Sequence, residues 1–347
     1  MTCTARLAFL ASMAALPLAA VPATAAPDCG DGWRRFDAAA STLYTRSSDR
    51  VARRLAGDLD SFQAYLAGLG PSGRFVSPIP IVVVALRGER EIEALLRPGT
   101  HTPQTRLGGM FLPGDDSSFV VLDSTLDAEL GVGDVVYHEL VHLYLRHNLP
   151  QAPRWLQEGM AEFFSTFQRR GDEVVVGRTI ERHLRWLASN SLAPMAELLG
   201  ARPISGGEST RTGVVYAQSW LFVHYLLTGG EPTRLQLARF LEALRDHQPV
   251  VTAFSNAFEM SIGDMTPTLN RYLRGGRFGF YRIPAGEPEG ALSVTAADPA
   301  EACAQLAELL AAMPARAEDA RAHYERTLEL QADHPLALSG LGRMTAL

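Results

Sequence analysis

The sequence predicts an α+β protein, and three observations carry that expectation. Strand-like apolar runs gather in the first third of the chain. The middle is a succession of segments with helical periodicity. Beyond residue 300 the chain turns Ala/Leu/Glu-rich and helical again. The 347 residues are 47% hydrophobic and 20% charged, enough apolar material for a full core in two domains, or in one large domain with an appendage. A formal net charge of -6 leaves no basic footprint for nucleic acid.

Residues 1–25 read as an export signal. Arg6 supplies the positive start, residues 7–20 are apolar but short and contain Pro17, and Ala23-Thr24-Ala25 is an A-x-A cleavage site. The alternative is an N-terminal membrane anchor; no later stretch is long and apolar enough to span a bilayer. The expected mature chain is soluble and periplasmic or secreted. It keeps Cys29 and Cys303, an even pair suited to one disulfide in an oxidising compartment, with two unpaired thiols as the alternative.

Residues 41–45 read as a short strand, followed by a helix in which Val51, Leu55, Leu59, Phe62 and Leu66 share one face. The run 79–86, IPIVVVAL, is a buried strand between turn signals, and 88–96 a helix. Residues 110–112 and 119–122 flank Pro-Gly-Asp-Asp as a hairpin. Asp134 is a candidate N-cap for a helix over 135–147, which Asn148-Leu149-Pro150 stops. A second helix is expected over 153–167, a strand over 173–176, and helices over 179–187, 214–227, 233–245 and 265–273. The main domain thus runs over 26–284. Residues 285–299 are small, polar and Pro/Gly-containing, and read as a linker. Residues 300–347 resemble the junction of two tetratricopeptide repeats, or a generic helical hairpin; they would pack on the main domain, self-associate or bind a protein partner.

The most informative stretch is His138-Glu139-Leu140-Val141-His142, an H-E-x-x-H pattern in a helix. Helical residues four apart lie about 40° apart and about 6 Å along the axis, so His138 and His142 can share one metal ion. Glu139 is positioned to take a proton from an attacking water. A catalytic zinc wants three protein ligands and one open position. Glu158, sixteen positions after His142 in W-L-Q-E-G-M-A-E, is the candidate third ligand. Glu162, one turn further, could accept the remaining ring N–H of a ligand histidine. Gly159 would give clearance where the two helices approach the metal.

The pairing of H-E-L-V-H with W-L-Q-E-G-M-A-E resembles the gluzincin metallopeptidases, a core shared by thermolysin-like and aminopeptidase-N-like enzymes. The resemblance covers about residues 74–273. It implies a small mixed-sheet lobe plus a helical lobe with the zinc helix at their junction, one zinc ion per chain on His138, His142 and Glu158, Glu162 behind them, and hydrolysis of a peptide or protein substrate. Two departures stand out: the gap between His142 and Glu158 is short, and no acidic-aromatic amine-binding motif precedes the zinc helix. Tyr216, 58 residues after Glu158, matches the position of a catalytic tyrosine, but Gln218-Ser219 replaces the Lys-Gly of that motif. His224 is the alternative donor. Gly108, Gly109 and Met110 would form an edge strand that receives an extended substrate. His101, His147, His183, His247, His323 and His334 lack ligand spacing and read as surface residues. The rival expectation is a non-catalytic, zinc-stabilised scaffold of the cell envelope.

Overall fold

Residues 28–37, 41–69, 79–96, 109–112, 114, 116–125, 132–285 and 293–345 are described in the computed structural model. The expected export signal, Gly108, His101 and residues 286–292 of the expected linker lie outside them. The chain opens with β1 (Arg34–Asp37), β2 (Thr42–Thr45), α1 (Asp49–Leu69), β3 (Ile81–Leu86), α2 (Glu89–Leu96), β4 (Gly109–Leu112) and β5 (Ser118–Asp123). The helices α3 (Val132–Asn148) and α4 (Arg154–Ser165) come next, then β6 (Gln168–Arg170) and β7 (Glu173–Val176). A helical lobe follows: α5 (Glu181–Ser189), α6 (Met195–Leu198), α7 (Glu208–Gly213), a π-helical turn (Val214–Gln218), α8 (Ser219–Thr228), α9 (Glu231–Arg245), α10 (Val250–Phe258) and α11 (Ile262–Gly275). The chain closes with β8 (Tyr281–Pro284), β9 (Ser293–Ala296), α12 (Pro299–Ala311), α13 (Ala317–Leu330) and α14 (Pro335–Thr345).

The molecule is α+β with a mixed sheet. Six strands run in the order β4-β5-β3-β2-β1-β9, with β2, β3 and β5 parallel and the outer pairings antiparallel. A small second sheet joins β6, β7 and β8. The β-branched run of β3 suits the centre of the large sheet, since all six of its residues are buried. Alternation sends them to two faces. Ile81, Val83 and Ala85 join a core with Ala56, Leu59 and Phe62 of α1 and Leu140 and Val141 of α3. Val82, Val84 and Leu86 join a second core with Leu306, Leu309 and Leu310 of α12.

The C-terminal helices therefore cover one face of the sheet. The linker expected over 285–299 is corrected in part: Ser293–Ala296 pairs with β1 as an edge strand. Its small polar residues look like a linker because an edge strand needs only one hydrogen-bonded neighbour. Cys29 and Cys303 are disulfide-bonded, 274 residues apart in sequence, and both sit in this second core. Arg343 of α14 reaches back to Asp116 beside the β4–β5 turn at 3.2 Å. Among the described residues no helix is long and apolar enough to cross a membrane.

Two local expectations change. Helix α3 begins at Val132, so Asp134 lies in its first turn, where it suits the positive end of the helix dipole, and is not the N-cap. The strand β1 was not expected, because Arg34, Arg35 and Asp37 surround its one buried residue, Phe36.

Leu309 is fully buried on the second face. Leu309→Ala is expected to lower global unfolding free energy by about 2–5 kcal/mol in denaturant titration; separate melting of the C-terminal helices with no change in the main transition would contradict this packing. On α1, burial raises the Asp58 carboxyl from 3.8 to about 6, against the opposing pull of Arg54 and Arg169. A raised folded pKa favours folding at low pH, and that contribution fades as pH climbs through about 6. Asp58→Asn should stabilise the chain at pH 8 by at most about 3 kcal/mol, and by much less at pH 4, in pH-resolved melts.

Candidate metal centre

Helices α3 and α4 pack against each other, and α4 packs in turn on α8. Trp155, Leu156 and Phe163 anchor α4 in the core and leave Glu158 and Glu162 facing α3. Gly159 acts differently from expectation. A Cβ there would stand 2.6 Å from the Ser219 carbonyl oxygen, so the glycine lets α4 close on α8 and does not act between α3 and α4.

The Nε2 atoms of His138 and His142 are 3.1 Å apart. Glu158 Oε2 lies 3.6 Å from the first and 3.5 Å from the second. Bonds of about 2.0–2.1 Å to a tetrahedral divalent ion put neighbouring donor atoms about 3.3–3.4 Å apart. The triangle therefore has the size of one face of such a site. Glu158 Oε2 is buried and has no hydrogen-bond partner, which leaves it able to take a ligand between the two imidazoles. Burial pushes the Glu158 carboxyl up, but the two imidazoles outweigh it and hold it down to about 2. Burial disfavours a charged His138, yet Glu158, Glu162 and Glu139 raise its pKa. Three carboxylates thus act on this imidazole, and a divalent cation between the ligands would offset their charge. These residues fit one metal ion.

Glu162 divides its two oxygens. Oε2 takes Arg182 at 2.6 Å and His183 at 2.9 Å, while Oε1 stands 3.7 Å from His138 Nδ1. Burial raises the Glu162 carboxyl, and His183, Arg182 and His138 together pull it below its ordinary value. It stays an acceptor aimed at the ring nitrogen that does not face the metal group. His183, expected on the surface, is only 5% exposed. The signal was present: His183 and Leu187 sit one turn apart on the buried side of α5. His334 is buried as well, 3.2 Å from Glu301; His147 and His247 are exposed, and His323 is half-buried.

Glu139 lines a cavity of about 490 Å³ with Phe111, His142, Arg146, Leu149 and Gln157. Strand β4 is one of the two edge strands of the six-stranded sheet among the described residues, and it packs on α3. Phe111 turns toward this cavity, whereas Met110 packs on the opposite face, so only its backbone can serve the cleft. A second cavity, of about 710 Å³, is lined by Glu162, Arg182, His183, Trp186 and Tyr216 among others.

Tyr216 sits in the π-helical turn, a local widening common at functional sites. Its ring centroid is 6.5 Å from that of His138. Burial and the charge of Glu158 raise its pKa, so it remains a hydroxyl donor at neutral pH. Gln218 has a structural part: its amide accepts from the Ala193 N–H at 2.8 Å and donates to the Ala193 carbonyl at 2.9 Å. His224 is fully buried, its Nε2 on the Gly177 carbonyl and its Nδ1 on the Tyr272 hydroxyl. Burial lowers it to about 4, and a neutral ring saturated in this way is a core histidine.

Compared with known proteins, the chain matches no family model and no curated protein.

Titration with a divalent transition metal is expected to give one equivalent bound per chain. Glu158→Ala should remove tight binding, and Glu162→Gln should weaken it by about 10–100-fold. Equal affinity in all three proteins, read by chelator competition, would contradict the assigned centre.

Proposed function

We propose that the chain is an exported zinc-dependent peptide hydrolase of gluzincin type. Its main domain would be the catalytic core and its last three helices a tetratricopeptide-like cover. The observation that carries this reading is Glu139. Its carboxylate lines an open cavity beside His142 and stands outside the ligand triangle. A purely structural metal site has no use for such a group, whereas hydrolysis needs a base.

His138, His142 and Glu158 would hold the zinc ion, which when bound supplies Lewis acidity and brings the pKa of water down to about 7. Glu139 takes the proton of the attacking water and delivers it to the leaving amine. Glu162 Oε1, 3.7 Å from His138 Nδ1, would accept its N–H on a small closure of the gap, which would fix the tautomer and turn the Nε2 lone pair to the ligand position. Tyr216, whose ring lies 6.5 Å from that of His138, would donate its hydroxyl to the developing oxyanion. The outer edge of β4 would offer backbone groups to an extended substrate, and the two cavities would give its side chains room. The export signal and the disulfide support a periplasmic or secreted setting.

Glu139→Gln removes the base and keeps the ligands. It is expected to retain about one zinc ion per chain and to lose about 10²–10⁴-fold in kcat on a cleaved peptide. Tyr216→Phe should lose about 10²–10³-fold. Full turnover by Glu139→Gln would defeat the mechanism, and a zinc-loaded chain that cleaves no peptide in a broad library would leave the scaffold expectation standing.

A further inference from the structure

Trp186 is the one tryptophan of the four that is not buried in the core. It sits on α5, one turn after Arg182, and forms part of the wall of the 710 Å³ cavity next to the metal group. That volume lies within the range of about 300–1,000 Å³ usual for ligand cavities. The indole is seated on Gly213, the residue that opens the π-helical turn of Tyr216. Gly213 has φ -61 and ψ -39, ordinary helical values that any residue adopts. Glycine there costs about 1 kcal/mol relative to alanine and brings no conformational benefit. What demands it is space: a Cβ at Gly213 would overlap the Trp186 ring. The chain therefore keeps a helix-weakening residue where it lays a large aromatic face along an open cavity.

The one arginine that lines the cavity is already paired: Arg182 is engaged by Glu162 at 2.6 Å. With Arg182 taken, the lining offers no unengaged arginine to an acidic side chain, and the remaining carboxylate, Glu208, lies at the solvent-exposed rim. The large surface on offer is the indole face, with Ala217 behind it and Thr212 and Ser209 at the mouth. Tyr216 belongs to this cavity and stands beside His138, so its occupant lies next to the reacting carbonyl.

We infer that this cavity holds the substrate residue adjoining the scissile bond and selects a neutral aromatic side chain, which stacks on Trp186. The inference deepens the peptide-hydrolase reading and rests on it for turnover, but binding tests it separately. Internally quenched peptides that differ only by Phe, Tyr, Leu, Ala, Asp or Arg at one position near the cut are compared by kcat/KM. The aromatic peptides are expected to lead at one position flanking the bond. Trp186→Ala should shrink the Phe-to-Ala ratio at least tenfold, Trp186→Phe should restore most of it, and Gly213→Ala, which drives the indole into the cavity, should shrink it too. In parallel, acrylamide quenching reports Trp186, since Trp33, Trp155 and Trp220 are buried. N-acetyl-phenylalaninamide should shield it saturably and N-acetyl-alaninamide should not. An aromatic preference untouched by Trp186→Ala, turnover without that preference, or shielding by neither amide would overturn the inference. Shielding by the phenylalanine amide in a chain that cleaves no peptide would retire the hydrolase reading and keep the aromatic pocket.

Discussion

The arrangement of the candidate centre depends on how closely α4 can approach α8. Gly159 sets that distance, because its missing side chain leaves room for the Ser219 carbonyl and Val223. With α4 pressed back on α8 and locked by Trp155, Leu156 and Phe163, Glu158 and Glu162 are carried on a rigid support. Glu158 then meets two imidazoles and Glu162 a third and a fourth partner from α5. A side chain at Gly159 would force the helices apart, and a shift of about 1 Å is enough to spoil a constellation that must hold to about 0.5 Å.

Gathering three carboxylates around two half-buried histidines is electrostatically costly, and the protein answers it in two ways. Glu162 is kept ionised by Arg182 and His183, both on α5, so the charge behind His138 is steady. Glu158 is kept ionised by the imidazoles themselves, with one oxygen left without a hydrogen-bond partner. The first device is closed within the protein. The second is open, and it is the open one that asks for a cation. Helix α5 serves both ends of the site: His183 steadies the carboxylate that faces a ligand, and Trp186 walls the larger cavity.

Much of this was legible in the residues, for definable reasons. The β3 run and the face of α1 carry strong periodicity, and both formed as expected. H-E-x-x-H with a glutamate sixteen positions on is a local pattern with a geometric consequence, so His138, His142 and Glu158 could be brought together on paper. The partners of Glu162 could not. Arg182 and His183 are 20 and 21 positions away on another helix, and nothing in their spacing points at α4. Strand β1 and the edge strand β9 escaped because charged residues flank the one buried residue of β1 and because their pairing joins the two ends of the described chain. Gly213 escaped for a related reason: its importance lies in Trp186, a contact between helices that no local rule describes.

The antiparallel pairing of β1 with β9 also has a temporal meaning. Within this sequence β1 is made well before its outer neighbour, which arrives together with α12 and the partner of Cys29. Loop closure over so long a stretch is slow, since its entropy must be surrendered before the contacts reward it. A growing chain can gather the helical lobe and bring His138, His142 and Glu158 together while one face of the large sheet is still bare. Completion of the sheet is therefore the late event in assembly, and the interval before it is when Val82, Val84, Phe119 and Val121 are open to capture by another chain.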